Sequence, residues 1–180
     1  MILTALLMLA LAAPPPAPPI PAQDKQVQAD QLLDAEFEKL MQEAEQANTD
    51  YLEKRKTDPK TPRWEIGMWS KFEALADKGH GRSLRWLALN AQRKYEGKSE
   101  ITARKLELYG KLIDKSASAD WAERIVDDLV NKEKKYFGMQ ELDKLLSQLK
   151  TASKQPEVQA AALDAPASHA GIKSGPYLWR

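Results

Sequence analysis

The chain of 180 residues has no cysteine and only two histidines. Without cysteine it can form no disulfide, no thiolate metal site and no thiol redox centre of its own. The histidines, His80 and His169, lie far apart and outside any HxxxH or HExxH spacing, so zinc chemistry of the helical kind is not indicated and no cofactor is implied. No glycine-rich phosphate loop, GxGxxG or GxSxG motif occurs. Charge of one sign is also lacking: Lys and Arg total 27 against 26 Asp and Glu, for a net charge of +1. A general nucleic-acid binder needs a basic excess to displace counterions, so nucleic acid is not expected as a partner.

Long hydrophobic runs are missing too. The one apolar stretch, residues 2–13, falls short of the roughly twenty residues that a membrane-spanning helix requires. Its length and the following small residues fit the core of an export signal, with Ala10-Leu11-Ala12 matching an A-x-A cleavage pattern. Ile20-Pro21-Ala22 offers a second site that would leave Gln23 as the new terminus. No Lys or Arg precedes the core, which departs from the usual signal. The proline tract Pro14–Pro21 separates this leader from the rest and predicts a stiff polyproline spacer. The expected organisation is a signal peptide at 1–13, a spacer at 14–23, a helical domain at 24–164 and a poorly ordered tail at 165–180. Export to a periplasmic or extracellular setting follows, with no stable membrane span.

What the chain does contain is helical periodicity. From Asp24 to Lys56, Leu33, Phe37, Leu40, Ala44, Ala47 and Tyr51 recur at steps of three and four, giving one apolar helix face. Thr57–Pro62 ends that helix, and Thr61 with Pro62 suits the start of the next. The second helix, Pro62–Lys78, aligns Met68, Trp69, Phe72, Leu75 and Ala76. Gly79-His80-Gly81 breaks it, which makes His80 an exposed turn residue, and Ser83 is a suitable N-cap for a third helix through Tyr95. Gly97 fits the left-handed position after that helix. Ser99 opens a fourth, in which Gly110 costs about 1 kcal/mol relative to alanine. Ser118 starts a fifth with Trp121, Ile125, Val126, Leu129 and Val130 inward. Gly138 precedes a sixth through Leu149, and Pro156–Asp164 forms a short seventh.

No segment alternates with period two. The fold class is therefore all-α, six to seven short helices in antiparallel pairs. Trp86 and Trp121, at similar places about 35 residues apart, suggest divergent tetratricopeptide-like hairpins, with an irregular bundle as the alternative. Charged clusters read as solvated surface: Asp127-Asp128, whose side chains point about 100° apart on a helix and cannot face each other, the Lys132–Lys135 helix end, and Lys54-Arg55-Lys56 with Lys60 and Arg63. Trp64, Trp69, Trp86 and Trp121 are the candidate partner-binding residues, as aromatic lining of a groove, against the plainer alternative of core packing.

Three segments, Phe72–Lys78, Ser83–Asn90 and Glu157–Leu163, together with the order leader, spacer and helical domain, resemble the N-terminal part of exported bacterial thioredoxin-like proteins of the TlpA type. The likeness covers parts of residues 25–163. It implies a helical accessory region of a thiol-disulfide oxidoreductase, but the CxxC pair of such proteins has no counterpart here, so no catalytic residue carries over. The expected function is thus a non-catalytic exported helical domain that binds or scaffolds another envelope protein. The alternative is the accessory part of an oxidoreductase whose thioredoxin domain is absent from this chain.

Overall fold

The computed structural model describes residues 22–169. The expected signal peptide, most of the expected spacer and the end of the expected tail lie outside the described residues. The described chain is helical with no strand: α1 (Ala22–Thr57), α2 (Trp64–Asp77), α3 (Gly81–Lys94), α4 (Lys98–Ser116), α5 (Glu123–Asp127) continued by a π-helical turn (Asp128–Lys132), α6 (Met139–Ala152) and α7 (Pro156–His169). None of these helices is long and apolar enough to cross a membrane.

Neighbouring helices fold back on one another. Ion pairs Glu43–Lys71 at 2.6 Å and Glu36–Lys78 at 2.8 Å set α1 antiparallel to α2. Glu65–Arg93 at 3.3 Å, near the start of α2 and the end of α3, does the same for the next pair. In α3 and α4, Gly81 lies against Ser116 while Arg104 stacks 5.9 Å from the Tyr95 ring. It follows that α2 and α4 run in the same direction on either side of α3. The α6–α7 link is fastened to the α4–α5 loop by Gln155, whose side-chain amide donates to the carbonyls of Ser118 and Ala119.

Most of the apolar residues named from the sequence form one core, which leaves out Ala47 and Tyr51 of the first stripe. Phe37 and Ala44 from α1 meet Met68, Trp69, Phe72 and Leu75 from α2, Leu84, Trp86, Leu87, Ala88 and Ala91 from α3, and Leu108, Tyr109, Leu112 and Ile113 from α4. The other end closes on Ile125, Leu129, Leu142, Leu145, Leu146, Leu149, Val158 and Ala162. Removing this much apolar surface from water, at about 25 cal/mol per Å², supplies the main favourable term in a chain without staples.

Several boundaries differ from expectation for identifiable reasons. Ala22 and Gln23 belong to α1 rather than to the spacer. Arg63, extended at φ −64° and ψ 134°, is the N-cap of α2, and the Thr61 hydroxyl instead donates backwards to the Asp58 carbonyl at 2.7 Å. The fifth helix starts at Glu123, because Ser116 to Ala122 is taken up by successive short-range turn bonds such as Ala119 N–H to Ser116 O. Trp121 therefore lies in that turn while Trp86 sits in mid-helix, so the two are not equivalent positions of a repeat. Helix α7 runs five residues beyond Asp164, making the first part of the expected tail helical. Gly79 (φ 90°) and Gly97 (φ 80°) occupy the left-handed region at the two tight connections, where a side chain would be strained.

Candidate functional site

The four tryptophans do not form a groove. Trp69 is 1% exposed and Trp86 8%, and the Trp86 ring stacks on Phe72 at 3.9 Å between Trp64 and Trp69. Partly buried Trp64 covers the edge of this cluster. Trp121 packs elsewhere, over Gly81, where an added Cβ would overlap Ser116 Oγ and sit 3.0 Å from Trp121 Cζ2. Helical periodicity puts large apolar rings on the inward face, and here α1 and α3 cover that face. Trp69 and Trp86 are thus packed in the core, the plainer of the two readings that the sequence offered.

The structure instead gathers ionisable groups in two places that sequence reading treated as surface. At the first, His80 is buried and is the N-cap of α3. Its Nδ1 accepts the Ser83 backbone N–H at 3.3 Å and lies 2.9 Å from Ser83 Oγ, so the proton sits on Nε2, 3.1 Å from Asp34 Oδ1 of α1. Flanking glycines had suggested an exposed turn. The ring is drawn in because it both satisfies the helix start and packs at 5.0 Å on Phe37. Aspartate, histidine and serine in line resemble a nucleophile relay, but Ser83 is 0% exposed and its own N–H occupies the imidazole nitrogen. The arrangement is a cap that latches α1 to α3.

The second gathering is interior. Lys105 of α4 is fully buried; its Nζ donates to the Ala88 carbonyl at 2.6 Å and to Glu133 Oε1 at 2.8 Å, with Oε2 at 2.7 Å. Beside it, fully buried Asp128 accepts Arg85 Nη2 at 2.9 Å, Arg85 Nε, and Lys132 Nζ at 2.7 Å. Asp128 and Glu133 had both been expected on solvated surface. The cause of the difference is the π turn, in which Glu133 N–H bonds the Asp128 carbonyl five residues back at 2.9 Å. Five residues fill that turn, so positions 128 and 133 both face inward. No propensity in the sequence signals such a turn; the one available clue is a lysine, Lys105, in the apolar register of α4.

Burial shifts these groups. It pulls the Lys105 ammonium below its ordinary range, against the opposing bond from Glu133, and it pushes the Glu133 carboxyl up. Burial also works against the Arg85 charge, but the hydrogen bonds and charge of Asp128 outweigh it and hold the guanidinium above its usual value. Tyr109 is raised furthest from an ordinary phenol, first by burial and then by the negative charges of Glu133 and Asp128. Its hydroxyl has no hydrogen-bond partner among the described residues. Lys105 with Glu133, and Asp128 with Arg85 and Lys132, are paired inside the fold. Among the described residues no three His, Asp or Glu are gathered to hold a metal ion.

The described surface also carries an open cleft of about 260 Å³ where parallel α2 and α4 flank α3. Leu84, Leu87, Leu108 and Ala76 form its floor; Glu73 and Asp77 stand on one wall and Arg104, Lys111 and Lys115 on the other. Glu73 and Arg104 bridge it at 3.0 Å. None of the four tryptophans lines it. Comparison with known proteins returned no match: no family model, no curated protein and no solved structure is similar to this chain.

Proposed function

We propose that the chain is a non-catalytic, exported helical module that binds another protein of the cell envelope through the α2–α3–α4 cleft. The observation that carries this reading is the cleft itself, a concave apolar floor between charged walls on helices fixed by the core beneath. The pairing of Lys105 with Glu133 and of Asp128 with Arg85 inside the fold supports a binding role rather than a catalytic one, because a reacting group must face its substrate. Export rests on the apolar leader and its proline tract.

A photo-crosslinking side chain at Ala76 or Lys111, in cells that make the protein, tests the binding role. Adducts to a second protein from these positions, with none from Gln140 on α6, are expected; equal yields from all three would remove the cleft from consideration. N-terminal sequencing of secreted material should begin near Ala13 or Gln23. Recovery of the intact Met1 form inside the cell would overturn export.

A further inference from the structure

Most charges around the cleft already have partners. Glu73 pairs with Arg104, and Glu107 pairs with both Arg104 (2.6 Å) and Lys111 (2.7 Å). Among the described residues, Asp77 and Lys115 make no ion pair, and both are exposed on the cleft walls. Asp77 is the more telling of the two. It is the last residue of α2, where the carbonyl end of a helix favours a cation, and no basic residue stands in that last turn to offset it. Lys115 lies in the last turn of α4, a favourable place, but its ammonium is still free to meet an anion across the cleft.

From this we infer that the cleft takes a protein segment carrying charges of both signs around apolar side chains: a Lys or Arg to meet Asp77, a Glu or Asp to meet Lys115, and Leu-sized groups on the floor of Leu84, Leu87 and Leu108. The inference rests on the binding role proposed above and specifies its partner. Among the described residues, the wall charges that make no ion pair are one of each sign, Asp77 and Lys115, so neither a polyacidic nor a polybasic segment matches them. A bipolar segment does, since each of its ends is attracted and neither is repelled. Bridged Glu73–Arg104 closes one end of the floor, which leaves the stretch toward Gly79, Asp77 and Lys115 as the open one.

Methyl NMR spectra of the folded protein, titrated to about 1 mM with capped peptides, decide the matter. The probe is a Glu-Leu-Leu-Lys peptide, the control a Gln-Leu-Leu-Gln peptide. Shifts at Leu84, Leu87 and Leu108 with the charged probe are expected, weakened about two- to fivefold by Asp77→Asn or by Lys115→Met, and weakened by salt. Both substitutions are at exposed positions, and an unchanged melting profile verifies that the fold is intact. Equal binding of probe and control, or binding of the probe unchanged in the double variant, overturns the charge assignment while the cleft stays a binding surface. No shift with either peptide overturns the assignment and the binding role together.

Discussion

The hydroxyl of Tyr109 sits inside the bundle beside two carboxylates and finds no hydrogen-bond partner among the described residues. A buried polar atom left this way costs about 1–3 kcal/mol. Tyr109→Phe should therefore raise stability, by about 1 kcal/mol, in denaturant unfolding at neutral pH. The pH dependence has a definite sign. The folded phenol titrates well above the unfolded value of 10, so its contribution is complete below that pH and is lost as pH rises beyond it. Wild type should lose stability more steeply than Tyr109→Phe above about pH 10; parallel profiles would contradict the placement of the hydroxyl. Lys105 and Glu133 behave oppositely as a pair. Lys105→Met or Glu133→Leu alone should cost about 3–5 kcal/mol by stranding a charge, while the double replacement should recover most of it in a double-mutant cycle. Lys105 stands in an apolar register of α4, a signal that sequence reading did not single out, and nothing in the sequence names the carboxylate it meets, because the partner lies 28 residues away across a non-α turn.

At the scale of elements, the helices themselves were readable because apolar residues recur at steps of three and four. The stripe from Leu33 to Ala44 and that from Leu142 to Leu149 lie where periodicity put them, while Ala47 and Tyr51, farther along α1, stay outside the core. Starts were read less well, since a cap is a contact rather than a composition. Ser83 looked like the cap of α3 and is instead the donor to the actual one, His80. Gly110 in α4 tests propensity directly: an added Cβ would meet nothing within 4 Å, so Gly110→Ala should stabilise the protein by about 1 kcal/mol in thermal unfolding. The π turn gives a sharper test. Deleting exposed Asn131 should leave four residues to close an α turn, with Glu133 still one turn from Asp128 and facing Lys105, and so cost far less than Glu133→Leu. A loss as large as that of Glu133→Leu would show that the π turn does more than accommodate one extra residue.

Over the whole molecule, α1 is the least embedded part. It is held by a narrow apolar strip, Phe37 and Ala44 with partly buried Leu33 and Leu40, by the hydrogen bond between His80 and Asp34, and by ion pairs along its edges: Glu38 to Arg82, Glu36 to Lys78 and Glu43 to Lys71. Exposed pairs contribute at most about 1 kcal/mol each, so the strip decides whether α1 stays docked. Phe37→Ala should cost about 3 kcal/mol and raise amide exchange in α1 before any change in α4 or α6. The sequence could not have located the cleft. Its walls come from separate helices, and each of their charges alone reads as ordinary surface.

The interior pair has a consequence for how the chain comes apart. Lys105 belongs to α4 and Glu133 to the segment that follows the π turn, so a partly opened state in which only one of them has left would keep a single charge in an apolar interior. Such half-open states are raised in free energy by the same few kcal/mol that either single replacement would cost. The two ends of the bundle are thereby tied into one cooperative transition, and intermediates with α4 docked and the π turn detached are kept scarce.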